Sequence, residues 1–209
     1  MTKKRLEKNP ELKKKCHSAM EEYFFGGYAE RIEEQPTEEG WYLPHHPVIS
    51  DTKNTKVRIV FDSAEKVKGI SRNDLLEKGP NLLNDLTGIL LRFRRYKYAV
   101  AGDISKMFLQ ILLNPDDPVF HRFLRRKDPQ YKPEIYQFKT VIFGDAPSPF
   151  LACYVIKRVL KDHNDSNVDV FNALNRNLYM DDLLLSCTTV KPSQETCFRQ
   201  VRIRNSRKR

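Results

Sequence analysis

The sequence predicts an α+β fold, an antiparallel sheet with helices packed on it, from two kinds of pattern. Three segments repeat apolar residues at helical spacing between capping and terminating residues, and two pairs of strand-like runs are joined by turn-forming residues. At 209 residues with 40% hydrophobic content, the chain is long enough for one domain with a substantial core.

The elements follow in order. Asn9 and Pro10 supply a cap and a first helical position, and Leu12, Cys16, Ala19, Met20 and Tyr23 then share one face until Gly26 and Gly27 end the helix. Tyr42 to Ile49 and Lys56 to Phe61 are strand-like runs joined by a polar, lysine-bearing turn, which predicts a hairpin near 42–61. A helix from about 81 to 95 carries Leu82, Leu86, Ile89 and Phe93 in one stripe, with Arg92, Arg94 and Arg95 answering its C-terminal dipole. The apolar run Tyr98 to Ala101 predicts a buried strand that turns at Asp103, and Ser148 and Pro149 open a helix to about residue 162. "NLYMDDLLLS", residues 177–186, is strand, turn and strand, with Asp181 and Asp182 at the bend.

Composition narrows the function. The chain has 37 basic and 27 acidic residues, a net +10, which favours a polyanionic partner because clustered Lys and Arg gain affinity by releasing counterions from phosphates. Cys16, Cys153, Cys187 and Cys197 have no metal-ribbon spacing and predict reduced thiols. His45 and His46, framed by prolines, predict an extended entry strand. No apolar run approaches the ~18 residues of a membrane span, and no apolar leader follows the charged N-terminus. These features predict an intracellular, cytoplasmic protein without membrane contact.

A second Asp-Asp pair, Asp116 and Asp117 in "NPDDPVF", is an internal control. Pro115 and Pro118 bar it from a sheet ladder, so it predicts a solvated turn. Asp181 and Asp182 instead sit between apolar strands, where like charges on a rigid hairpin call for a shared cation; on this stretch alone the alternative is a hairpin turn with outward-facing charges, since turns favour Asp. Asp103, at the mouth of its own strand, can join them if the strands are neighbours. Three converging carboxylates can hold two divalent ions, the arrangement that supports phosphoryl displacement.

The order of "KVRIVFDSA", "DISKMFLQI", "FKTVIFGDAPSPF" and "YMDD" resembles the fingers and palm of a reverse transcriptase. The wording of "WYLPHHPVI", "NDLLEKGPNLLNDL" and "LLRFRRYKYAV" is similar to the Pao/BEL group of LTR retrotransposons, over roughly residues 9–187. The resemblance implies an RNA-directed DNA polymerase domain with an antiparallel palm sheet and packed helices. Its divisions are a helical lead-in at 1–39, fingers and palm at 40–187, and a basic tail at 188–209 unlike the family. The family's thumb and primer grip are not recognisable in that tail, so a truncated fragment is expected.

The resemblance also implies roles. Asp103, Asp181 and Asp182 are the catalytic, metal-binding acids, with the Ile104 carbonyl as a further ligand. The cofactor is Mg²⁺, two ions, with Mn²⁺ able to replace it. Arg58 grips the triphosphate of the dNTP. Lys53 and Lys56 lie on the same hairpin, and the spacing does not show which, if either, makes the family's second triphosphate contact; Lys56, nearer the strand, is the choice. Phe108 is the aromatic wall against a ribose 2′-hydroxyl, and Gly144 lets the nucleotide lie against the backbone. Phe143, also nucleotide-binding, stands where retroviral enzymes carry glutamine, which removes a polar contact to the sugar, although an apolar residue is usual in the retrotransposon branch. Tyr179 and Met180 lie on the primer and template side, and Asp62 has a template-side or a structural role. Partners are an RNA template, a DNA primer and the other domains of a retrotransposon polyprotein, within a virus-like particle. The alternative is a catalytically inactive nucleic-acid-binding remnant, and a two-metal nuclease uses the same acids but gives Phe108 and the "FGDAPSP" turn no role.

Overall fold

The structure is a computed structural model describing residues 9–33, 40–49, 57–128, 130–162 and 168–188. Its elements are α1 (Pro10–Phe25), β1 (Ala29–Ile32), β2 (His45–Ile49), β3 (Val57–Phe61), β4 (Lys66–Val67), β5 (Ile70–Ser71) and α2 (Arg72–Leu75). There follow α3 (Leu86–Phe93), β6 (Tyr98–Asp103), β7 (Arg122–Arg125), β8 (Glu134–Phe138), α4 (Ser148–Asp162), α5 (Val168–Asn177), β9 (Leu178–Tyr179) and β10 (Asp182–Cys187). Single 3₁₀ turns span Met107–Gln110 and Pro118–His121. All strand pairings between these strands are antiparallel, and the fold is α+β. The chain divides into two compact units, cut at residues 78/79, 107/108 and 148/149.

The first unit, residues up to 78 with 108–148, holds the larger core. The Asn9 side chain accepts from the Leu12 amide and starts α1, as the sequence predicts. Leu12, Cys16 and Met20 on the inner face of α1 pack with Val57, Ile59 and Phe61 of β3 and with Phe123, Tyr136 and Phe138. Edge-to-face contacts of Tyr23 with Phe61 and Phe138 fasten that helix to the sheets. β3 alternates strictly, so Arg58 and Val60 face outward while their neighbours are buried. The β2–β3 hairpin matches the expected one, although Tyr42 leaves it to bridge Arg122. A three-stranded sheet in the order β1-β8-β7 was not legible in the sequence.

The second unit, residues 79–107 with 149 onward, carries the sheet β6-β10-β9. β6 is not the buried strand expected from Tyr98 to Ala101: its residues alternate between half-buried and exposed, because one face of this sheet is covered and the other is open. The helix expected from 81 starts at Leu86. Asp85 caps it by accepting from the Thr87 and Gly88 amides, and Asn84 instead donates to the Asn175 and Leu178 carbonyls. α3 packs on β10 together with α5, a helix the sequence reading did not anticipate. α4 lies over the predicted range, and its Cys153, Ile156 and Leu160 line a crevice with Leu82, Leu174 and Leu178. Among the described residues no helix is long and apolar enough to cross a membrane.

Candidate metal centre

The β6–β10 register places Asp103 directly opposite Asp182, and the short β9–β10 turn puts Asp181 beside them. One carboxylate oxygen from each of the three lies within 4.8 Å of the others. Asp181 is half-buried, and Asp103 and Asp182 are exposed. Two like charges facing each other across a ladder repel. Among the described residues no Lys, Arg or His forms an ion pair with any of the three.

The backbone holds this arrangement firmly. The Ile104 amide donates to the Asp181 carbonyl at 2.8 Å, joining the end of β6 to the hairpin tip. The Ile104 carbonyl accepts from Met107 at 3.2 Å. Met180 adopts φ 54 at the tip, a left-handed conformation uncommon for a residue with a side chain, which makes the two-residue turn tight. Behind the tip, the Arg92 guanidinium donates to the Asn177 side chain and the Arg176 carbonyl, and Ser186 donates to the Arg92 carbonyl. Arg92 therefore ties α3 to the base of the hairpin, a more specific role than answering the helix dipole. Asp116 and Asp117, the control pair, lie exposed in a turn as expected.

Three carboxylates are a hard, all-oxygen donor set suited to Mg²⁺. The exposure of Asp103 and Asp182 leaves further positions for water or substrate oxygens, and the absence of a competing internal cation among the described residues leaves their charge available. The residues fit the implied metal.

Arg58, Asp62, Phe108, Phe143 and Gly144 fall in the first unit, and Tyr179 and Met180 in the second. Arg58 projects outward from β3 and has no carboxylate partner among the described residues. Asp62 caps its own turn by accepting from the Ala64 amide, which gives it a structural role. Phe108 and Phe143 pack edge to face at 5.2 Å, and Phe143 is 78% exposed. Gly144 adopts φ +114, and a Cβ there would lie 2.9 Å from the Phe61 carbonyl, so only glycine fits. Tyr179 is half-buried on β9, and Met180 borders the crevice under α4. Lys56 lies outside the described residues.

Sequence reasoning missed a buried polar cluster behind Gly144. The Asp145 carboxylate accepts from Ser63 at 2.5 Å and from Arg72 at 3.2 Å, and lies 2.9 Å from the His121 Nε2. All four residues are buried, and Arg72 also donates to the Phe120 carbonyl. Burial pushes the Asp145 carboxyl up, but the His121 hydrogen bond, the Arg72 charge and the Ser63 hydrogen bond outweigh it and hold the pKa below the usual carboxylate value. Burial in turn lowers Arg72, against the pull of Asp145. Arg72, His121 and Asp145 are too far apart in the chain for any spacing to pair them. The available signal was three ionisable residues set in otherwise apolar or turn contexts, each of which requires a partner once buried.

A family model described as "Reverse transcriptase (RNA-dependent DNA polymerase)" matches residues 57–206. That match runs well into the stretch after 187 that the sequence reading set apart. No curated protein matches the chain. Among solved structures, the native prototype foamy virus protease-reverse transcriptase is similar at 18% identity and a TM-score of 0.63, covering 91% of this chain and 22% of its own. The foamy viral protease-reverse transcriptase in complex with an RNA/DNA hybrid gives 17%, 0.60, 90% and 21%. The same protein in complex with double-stranded DNA gives 19%, 0.59, 90% and 34%. The chain thus spans about a fifth to a third of the length of the chains it matches.

Proposed function

The chain belongs to the reverse transcriptase (RNA-dependent DNA polymerase) family, and on that premise we propose that it is the fingers and palm of an RNA-directed DNA polymerase from a Pao/BEL-type LTR retrotransposon. The observation that carries the catalytic reading is the clustering of Asp103, Asp181 and Asp182, with carboxylate oxygens within 4.8 Å of one another. In the reaction, the 3′-hydroxyl oxygen of a DNA primer bonds to the α-phosphorus of a dNTP as the bond from that phosphorus to pyrophosphate breaks, and the hydroxyl proton passes to solvent. Asp103, Asp181 and Asp182 would hold the metal, with the Ile104 carbonyl as a further oxygen ligand. Two Mg²⁺ ions, when bound, supply Lewis-acid neutralisation of charge on the attacking and leaving oxygens.

Arg58 is assigned to the triphosphate, which its guanidinium fork suits geometrically. Lys56 is assigned to the same group from the resemblance alone. Phe108 is assigned to the sugar, where a ring face penalises a ribose 2′-hydroxyl by overlap, and Gly144 to the close approach of nucleotide to backbone. Tyr179 and Met180, at the hairpin tip, are assigned to the primer end. The RNA template, the DNA primer and the remaining polyprotein domains are the proposed partners, and the cytoplasm of the host is the proposed compartment. The net charge of +10 supports a nucleic-acid partner.

Primer extension on an RNA template with Mg²⁺ tests the reading. Asp181→Asn should lower the extension rate by a factor on the order of 10³, the scale on which loss of one group that stabilises developing charge is felt. Equal extension by the wild-type chain and Asp181→Asn rejects the polymerase reading. Salt-sensitive binding of the duplex without extension by either selects the inactive nucleic-acid-binding remnant.

A further inference from the structure

An aromatic ring left 78% exposed forgoes most of the burial that normally holds phenylalanine inside a fold, yet Phe143 sits on a turn braced by side-chain hydrogen bonds. Asn73 grips the turn from both sides, donating to the Gly144 carbonyl at 3.0 Å and accepting from the Ala146 amide at 2.9 Å. The Asp145 side chain between them is anchored to Ser63, Arg72 and His121. Ser148 donates to the Ile142 carbonyl at 2.6 Å, closing the segment on its other side. The exposed ring packs edge to face against Phe108, at 5.2 Å and 75°. Phe108 is fixed in turn by a 3₁₀ turn whose end is joined to the same segment through the Val141 amide and the Ile111 carbonyl, at 2.9 Å.

We infer that Phe143 is a specificity-determining residue: its ring props that of Phe108, and the two rings together form the wall that discriminates deoxyribonucleoside from ribonucleoside triphosphates. Asn73 is a positioning residue that sets the wall from behind. The inference rests on the polymerase reading above, and on its assignment of Phe108 to the sugar. A single ring at the end of a rotatable side chain yields to a clashing hydroxyl by turning about χ1. A ring held edge to face by a second ring, itself on a braced turn, cannot turn away without breaking that contact, so the overlap penalty is retained. Preorganised surfaces of this kind discriminate because nothing nearby relaxes.

The test is the ratio of kcat/KM for a dNTP to that for the matching rNTP, measured in one preparation so that any loss of folded enzyme cancels. Phe143→Ala should lower the ratio roughly tenfold, the order expected when a positioning contact is loosened. Phe143→Tyr, which keeps the ring, should retain the wild-type ratio. Adding Phe143→Ala to Phe108→Ala should lower the ratio no further than Phe108→Ala alone, because the rings act as a unit. Asn73→Ala should lower it by less than Phe143→Ala. A wild-type ratio in Phe143→Ala overturns the inference while leaving the polymerase reading intact, and a wild-type ratio in Asn73→Ala alone removes the positioning role. Absence of Mg²⁺-dependent extension by the wild-type chain overturns both.

Discussion

Asp145 is 6% exposed and is met by a serine hydroxyl, a guanidinium and an imidazole, whereas Asp103, Asp181 and Asp182 stand at an open strand end with no cation of their own among the described residues. Both regions hold negative charge, but the first is neutralised by its neighbours, whereas no ion pair among the described residues neutralises the second. A buried carboxylate without partners would be expelled from the fold or protonated, so the chain must supply them. An exposed cluster can persist unneutralised because water screens it, at a modest cost, and it therefore keeps affinity for an ion. Charge that is satisfied internally braces a structure; charge left unsatisfied at a fixed spacing makes a site.

The comparison predicts opposite signs for the same chemical change. Asp145→Asn removes the negative charge that faces Arg72 and leaves a buried guanidinium uncompensated. It should destabilise the chain by about 3 kcal/mol, the lower end of the cost of breaking a buried ion pair. Chemical denaturation of the two proteins at neutral pH measures the difference. A loss under about 1 kcal/mol would show that His121 or solvent relieves the charge, and that the cluster is less dry than its burial implies.

A second, smaller effect separates the regions by pH. The Asp145 pKa in the folded chain lies below the ordinary value, so the carboxylate contributes its full stability above the unfolded aspartate pKa of about 3.9. That contribution is lost as pH falls through this value toward the depressed folded one. Wild-type thermal stability should therefore fall on acidification below about pH 4 more steeply than that of Asp145→Asn, in melts followed by circular dichroism. Parallel slopes would place the acid sensitivity in other carboxylates, such as Glu30, whose pKa is also lowered.

What the sequence disclosed follows the same division. The strand-turn-strand around Asp181 and Asp182 was legible because apolar residues flank it on both sides, and the prolines around Asp116 and Asp117 marked that pair as different. Convergence with Asp103 needed only neighbouring strands, and the register supplies it. Helices α1 and α4 announced themselves through Asn9, Pro10 and Pro149 at their starts. α5 went unnoticed although Val168, Phe171 and Leu174 fall at helical spacing; only ten residues long, it gains its place from packing on β10. The Asp145 cluster was illegible for a stronger reason: hydrogen bonds between residues 24 to 82 positions apart leave no periodic trace. Phe143 was flagged as a departure from the retroviral glutamine, but its contact with Phe108 depends on a turn geometry that only the fold reveals.

The smallest predicted effect is the most direct probe of unsatisfied charge. Asp103 and Asp182 oppose each other in the ladder, and like charges so placed destabilise a strand pair by roughly 0.2–1 kcal/mol. In chelator, without divalent ions, Asp182→Asn should therefore be slightly more stable than the wild-type chain, the reverse of Asp145→Asn. Added Mg²⁺ should stabilise the wild-type chain in proportion to binding and reverse that order, because an ion that binds only the folded state shifts the equilibrium by mass action. Denaturant melts of both proteins, with chelator and with Mg²⁺, give the four values required. If the wild-type chain is the more stable in chelator, the three carboxylates are relieved by something other than a metal, and the contrast between the two acid regions fails.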